Sequence, residues 1–161
     1  MQTVGLGLCW DELKVGDKFR TVGRTITEAD LVNFISCTGM LEVLFTDVDF
    51  ALNHSPMKGR VVPGALAYTF AEGLLVQGTM QHTGLGFLSM QFDVKGPTFV
   101  NDTIHVECEV TECRATSKGR GLVRTTNQII NQRGEVIIEY SPLRIMASKK
   151  MRDDTAMGVH G

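Results

Sequence analysis

Charge of one sign is what this sequence most lacks. Its 16 basic and 18 acidic residues leave a formal net charge of -2, so no global field draws it toward nucleic acid or an anionic membrane. It has no RNP, zinc-finger or helix-turn-helix pattern and no aromatic-plus-basic run, which removes the usual nucleic-acid readers. Its four cysteines, Cys9, Cys37, Cys108 and Cys113, form no C-x-x-C pair and no His-paired zinc spacing, so reduced thiols and no metal are expected. No apolar run reaches membrane-spanning length. The opening MQTVGLGLCWDELKVGD has neither a basic n-region nor an apolar h-region, so no signal peptide is expected and a cytoplasmic location is. Internal repeats are absent, and Gly84 and Gly86 do not make a G-x-G-x-x-G fingerprint. What remains, at 161 residues, is one domain large enough for a core of its own.

The most informative stretch present is GRVVPGALAYTFAEGLLVQG, residues 59–78, an almost wholly apolar helix that opens on Pro63-Gly64 and carries one carboxylate, Glu72. A helix apolar on nearly every side is expected inside a core. Proline suits the first helical turn, where its missing N–H loses nothing, and glycine admits a ligand or a second backbone closely. Free N–H groups at such an end, with the helix dipole behind them, polarise a carbonyl or hold an anion. A carboxylate buried without a partner is costly, and its pKa shifts.

Around that helix the pattern predicts a strand over residues 17–26, then a helix opening on Thr27-Glu28-Ala29-Asp30 and closing at Gly39. Residues 40–62 read as a long irregular segment with a short helix near Asp47–Leu52, and the central helix as residues 64–77. A strand follows over 87–94, ended by Gly96-Pro97. Residues 103–113 alternate, with Ile104, Val106, Cys108 and Val110 on one face and His105, Glu107, Glu109 and Thr111 on the other. Two more strands, 119–131 and 135–147, flank a hairpin turn at Asn131–Gly134. Residues 1–147 form the domain, and the polar tail SKKMRDDTAMGVHG, 148–161, is expected to be disordered. A curved antiparallel sheet wrapped on one long helix, an α+β arrangement, buries these elements economically. Its open edges favour a dimer or a higher even oligomer.

Five segments carry a family resemblance: L-K-V-G-D-K-F (13–19), T-I-T-E-A-D-L-V-N-F (25–34), T-G-x-x-E-x-L-F-x-D-x-D-F-A (38–51), R-V-V-P-G-A-L (60–66) and F-x-V-K-G-P-T-F-V-N-D-T-I (92–104). In this order and spacing the chain resembles the MaoC-like, or (R)-specific enoyl-CoA hydratase, branch of the hot-dog superfamily. The resemblance implies a sheet wrapped on one helix and continued across a dimer, and a thioester of coenzyme A or acyl carrier protein as substrate. It also implies reversible addition of water to a 2-enoyl group, with no cofactor beyond coenzyme A as part of the substrate. The motif departs where it matters most. The family has an Asp directly after the glycine matching Gly39, an Asn two positions on and a His three further, where this chain has Met40, Glu42 and Phe45. A His usually precedes the helix glycine, where Pro63 stands, and a Ser often stands at the position of Glu72.

These departures set the candidate residues. Gly64 would bind the thioester carbonyl through its backbone N–H, or serve close packing. Pro63 and Ala65 would line the same site. Glu72 would be a base beside the thioester, part of an exposed stripe with Thr69 and Val76, or a structural acid with a donor partner. Glu42 would share a proton with Glu72, orient water, or cap a helix. Asp47 reads as a cap, and His54 as a solvated loop residue; His82, His105 and His160 carry no expectation. Lys58, Arg60 and Lys95 flank the expected entrance, where coenzyme A phosphates would lie. Three functions fit: a hydratase or dehydratase using Glu72 and Glu42, an acyl-CoA thioesterase, and a non-catalytic subunit that binds acyl thioesters.

Overall fold

The computed structural model describes residues 2–158. Strand β1 (Lys18–Arg20) and strand β2 (Arg24–Thr25) precede helix α1 (Glu28–Thr38), the short helix α2 (Val43–Thr46) and the long helix α3 (Gly64–Thr79). Strands β3 (Gly84–Val94), β4 (Thr103–Ala115), β5 (Gly121–Ile130) and β6 (Val136–Met146) follow, and helix α4 (Lys149–Gly158) ends the described chain. The sheet runs in the order β1-β4-β5-β6-β3, with β2 also beside β4, and every pairing is antiparallel. It curls around α3. This is the hot-dog arrangement.

Local chemistry explains most of the elements. Thr27 and Asp30 form a reciprocal capping box at the start of α1, and Gly39 closes the helix at φ 74°. On β4 the residues Ile104, Val106 and Val110 are fully buried, as their alternation requires. At the β5–β6 turn the Asn131 side chain accepts from the Arg133 and Glu135 N–H groups, and Gly134 supplies φ 79°. The core joins Leu66, Ala67, Ala71 and Leu75 of α3 to Ile104, Val106, Ile129, Ile138 and Tyr140 of the sheet. Two alanines at the contact let the helix sit close to the strands.

Four features differ from expectation. The first strand is split into β1 and β2, with Thr21, Val22 and Gly23 between them: both halves pair with β4, and the Thr21 N–H still donates to the Val106 carbonyl, but the Val106 N–H donates to Thr21 Oγ1 instead of a backbone carbonyl. The irregular segment holds two short helical stretches, α2 and a second over residues 48–54 that ends in a π-helical turn at Phe50–His54, where a single one near Asp47–Leu52 is expected. Helix α3 is not enclosed all round: Ala65, Thr69, Val76, Gln77 and Gly78 are exposed in the single chain. Residues 149–158 are helical rather than disordered. Arg152 holds α4 down, its Nη1 donating to the Gly7 carbonyl at 3.0 Å and to Glu12 Oε2 at 3.1 Å. His160 lies outside the described residues.

The N-terminal segment is held by Trp10, whose Nε1 donates to the Gly119 carbonyl at 3.2 Å. Its ring covers Gly121, where an added Cβ would overlap the indole. Gly121→Ala is therefore expected to cost about 1–3 kcal/mol through overpacking. Urea unfolding followed by Trp10 fluorescence would measure it, and an unchanged midpoint would mean that the indole moves aside freely.

Candidate functional site

Helix α3 begins at a cleft of about 240 Å³. Leu44, Phe45 and Met57 from the irregular segment form its outer wall, and Val94 and Ile138 form its floor. The helix start is pinned from below, with the Val62 N–H donating to the Thr98 carbonyl at 2.9 Å. Leu66 and Ala67 donate back to the Pro63 carbonyl. The N–H groups of Gly64 and Ala65 have no acceptor among the described residues. Gly64 needs no positive φ, and an added Cβ would meet only Val94 Cγ2, at 3.8 Å. Neither backbone conformation nor packing within this chain accounts for a glycine here. A ligand or partner approaching the free amides would account for it.

Of Met40, Glu42 and Phe45, the residues at the family's motif positions, Phe45 alone lines this cleft. Met40 is exposed at 41%. Glu42 caps α2, its Oε2 accepting from the Leu44 N–H at 2.8 Å. Asp47 also caps, accepting from the Phe50 N–H at 2.9 Å. Among the described residues no carboxylate lines the cleft. His54 Nε2 stands 3.4 Å from Asp49 Oδ2, with both side chains largely in solvent.

Glu72 lies eight residues along α3 from Gly64, about 12 Å of helical rise. Its carboxylate is not on an exposed stripe. Both oxygens accept from Arg144 Nη2 at 2.7 Å, and Oε1 also accepts from the Tyr140 hydroxyl at 2.8 Å. The Arg144 and Glu72 side chains are 11% and 16% exposed. Asn127 of β5 stands opposite Tyr140 in the sheet. Burial, then the Glu72 charge and its hydrogen bond, push the Tyr140 phenol far above its ordinary value, so it stays a neutral donor. Burial pushes the Cys108 thiol, on the same interior face, up to about 12. The structural-acid reading describes this geometry: Glu72 is the anion of a buried ion pair. Nothing in the α3 sequence announces its partners. The signal was on β6, where strict alternation puts Ile138, Tyr140, Pro142 and Arg144 on the inward face, and an inward arginine requires an acid.

The three entrance cations differ in freedom. Arg60 is engaged: Nε and Nη2 grip Glu28 of α1, with Nη2 to Oε1 at 2.6 Å, and Nη1 donates to the Phe45 carbonyl. Its side chain is 15% exposed. Lys58 Nζ donates to the Asn53 carbonyl at 2.9 Å. Lys95 is half-exposed, and its nearest carboxylate is Asp93 at 3.9 Å. Pro63 lines the cleft with Gly64, whereas Ala65 points to solvent. No metal-ligating cluster occurs among the described residues, and no described helix is long and apolar enough to cross a membrane.

Solved structures share this architecture. The R-hydratase PhaJ1 from Pseudomonas aeruginosa, in its unliganded form, is 25% identical with a TM-score of 0.73, covering 88% of this chain and 86% of that one. The (R)-hydratase from A. caviae involved in PHA biosynthesis is 25% identical with a TM-score of 0.67, covering 84% and 97%. A MaoC-like dehydratase from Rhodospirillum rubrum is 23% identical with a TM-score of 0.77, covering 89% and 99%. No curated protein matches the sequence. The MaoC like domain family matches residues 12–132, and with a hot-dog sheet around α3 the chain belongs to this family of hydratases and dehydratases.

Proposed function

We propose that this chain binds an acyl thioester of coenzyme A or acyl carrier protein in the cleft at Gly64, and that proton transfer is not performed from the family's motif positions. The Gly64 glycine, unexplained by packing or backbone conformation and backed by two free amides, carries the reading. A thioester carbonyl accepting from these N–H groups is polarised, which acidifies its α-carbon and makes the β-carbon of a 2-enoyl chain electrophilic. The apolar wall of Leu44, Phe45 and Met57 suits the acyl chain. Lys95 is the entrance cation most available to a phosphate.

The long edge strand β3 bears on assembly. Leu85, Phe87, Leu88, Phe92 and Val94 are 37–59% exposed on an 11-residue strand paired on one side only. Pairing this edge with a second copy would continue the sheet and cover the patch. A homodimer in light scattering is the expected result.

A second reading, reversible hydration with Glu72 as the acid–base group, is favoured by one observation: Glu72 is a solvent-screened carboxylate on the same helix, hydrogen-bonded to a phenol. One set of assays separates the readings. Enoyl-, hydroxyacyl- and acyl-CoA thioesters are titrated by calorimetry while enoyl absorbance and free thiol are followed. Saturable binding is expected, weakened about tenfold or more in Gly64→Val with an unchanged melting temperature. Loss of enoyl signal without thiol, abolished by Glu72→Gln, would establish the hydratase, and thiol release would establish hydrolysis. Absence of saturable binding to every thioester would overturn the proposal.

A further inference from the structure

At the other end of α3 a second cavity opens, away from Gly64. An apolar groove of about 530 Å³ runs between the C-terminal half of α3 and β1, walled by Leu8, Phe19, Val22, Leu74 and Leu75. Beneath it lies a chamber of about 30 Å³. Leu8, Phe19, Leu75, Thr79 and Cys108 line both, so groove and chamber are neighbours that share one wall. Asn127 and Arg144 line the chamber, together with Thr79 and Thr125. Asn127 is 1% exposed, and its Oδ1 has no hydrogen-bond partner. Asn127 stands opposite Tyr140 in the pairing of β5 with β6. Arg144 bonds Glu72 through Nη2 alone among the described residues, so its other N–H groups have no acceptor there.

An unpaired buried acceptor costs free energy comparable to a lost hydrogen bond, and native interiors rarely leave one bare. The chamber holds one small polar group. That group must donate to Asn127 Oδ1, and beside the Arg144 guanidinium it is best able also to accept. A hydroxyl does both. A carboxylate cannot donate, and an ether or ester oxygen cannot donate either. The space that adjoins the chamber across this shared wall is the apolar groove.

We propose that the groove and chamber form a second ligand site, distinct from the Gly64 cleft, for an aliphatic molecule ending in a hydroxyl: the hydroxymethyl seats on Asn127 and Arg144, and the chain lies along Leu75, Leu74 and Phe19. The site stands independently of the thioester proposal, because the two cavities share no lining residue.

The test titrates 1-octanol, methyl octyl ether and octane into the full-length protein while methyl NMR shifts are followed. Octanol is expected to shift Leu75 and Val123 saturably, leave Val94 unmoved, and bind about tenfold tighter than the ether. Asn127→Leu should bring the two affinities within about twofold of each other. Gly78→Leu serves as a variant that leaves the polar network intact. Gly78 lines the groove, its added Cβ meets nothing within 4 Å, and leucine is the better helix former. It should weaken octanol binding about tenfold by filling the groove. Equal affinity for octanol and ether, shifts confined to Val94, or undiminished binding in Gly78→Leu would each overturn the proposal. Absence of saturable shifts would leave the chamber a site for one water and would overturn it as well.

Discussion

Glu72→Ala is expected to lower the free energy of unfolding by about 3–5 kcal/mol, the cost of stranding one member of a buried ion pair. The stranded member is Arg144, whose guanidinium cannot shed its proton and whose side chain is 11% exposed. The Tyr140 hydroxyl loses its acceptor in the same step. The pair itself is a different quantity from the cost of breaking it. Glu72→Leu combined with Arg144→Met removes both charges and should cost far less than Glu72→Ala alone, since buried pairs roughly balance their own desolvation. Urea unfolding of the single and double variants, with the m-value checked for constancy, measures the difference. A single-variant loss below about 1 kcal/mol would mean that Arg144 reaches water once released.

Asp102→Asn is expected to cost about 2–3 kcal/mol at neutral pH. Asp102 is 3% exposed and gathers the turn after β3 and the β5–β6 turn onto one carboxylate. The Phe99 N–H donates to Oδ2 at 2.9 Å, while Gln132 Nε2 and Arg133 Nη1 donate to Oδ1 at 2.8 and 2.9 Å. Burial alone would raise its pKa. The hydrogen bonds from Gln132, Phe99 and Arg133, with the Arg133 charge, outweigh burial and hold it below the usual carboxylate value. A folded-state pKa below the unfolded one stabilises the protein above the unfolded value of about 3.9, and that contribution is lost as pH falls through the folded value. The stability gap between the wild type and Asp102→Asn should therefore be full at pH 6 and should close on acidification below about pH 4. A gap unchanged down to pH 2 would mean that the carboxylate stays ionised throughout or contributes through shape alone.

Local chemistry was legible from the sequence, and distant pairing was not. The Thr27–Asp30 box, the Gly39 stop, the alternation of β4 and the Asn131–Gly134 turn each reside in a few adjacent residues, and each forms as expected. Helix α4 depends instead on Arg152 meeting Gly7 and Glu12 across 145 and 140 positions of chain, and its own composition is that of a solvated tail. The split between β1 and β2 likewise reflects a bond between Thr21 and Val106 that no local pattern encodes. In the candidate site, Pro63-Gly64 marked the helix start because backbone geometry there is written in residue type. Glu72 could be read three ways, since a carboxylate on a helix says nothing of which strand faces it. The deciding residues, Tyr140 and Arg144, lie 68 and 72 positions away.

The Arg60 bridge between Glu28 and Phe45 bears on how such a protein diversifies. The guanidinium suspends the outer lip of the Gly64 cleft from the first turn of α1, outside the sheet. Exchanges at positions 28 and 60 would tilt that lip and reset the aperture while the strands beneath stay in register. The fold thus carries a tuning screw for the width of this cleft that turns independently of its foundation.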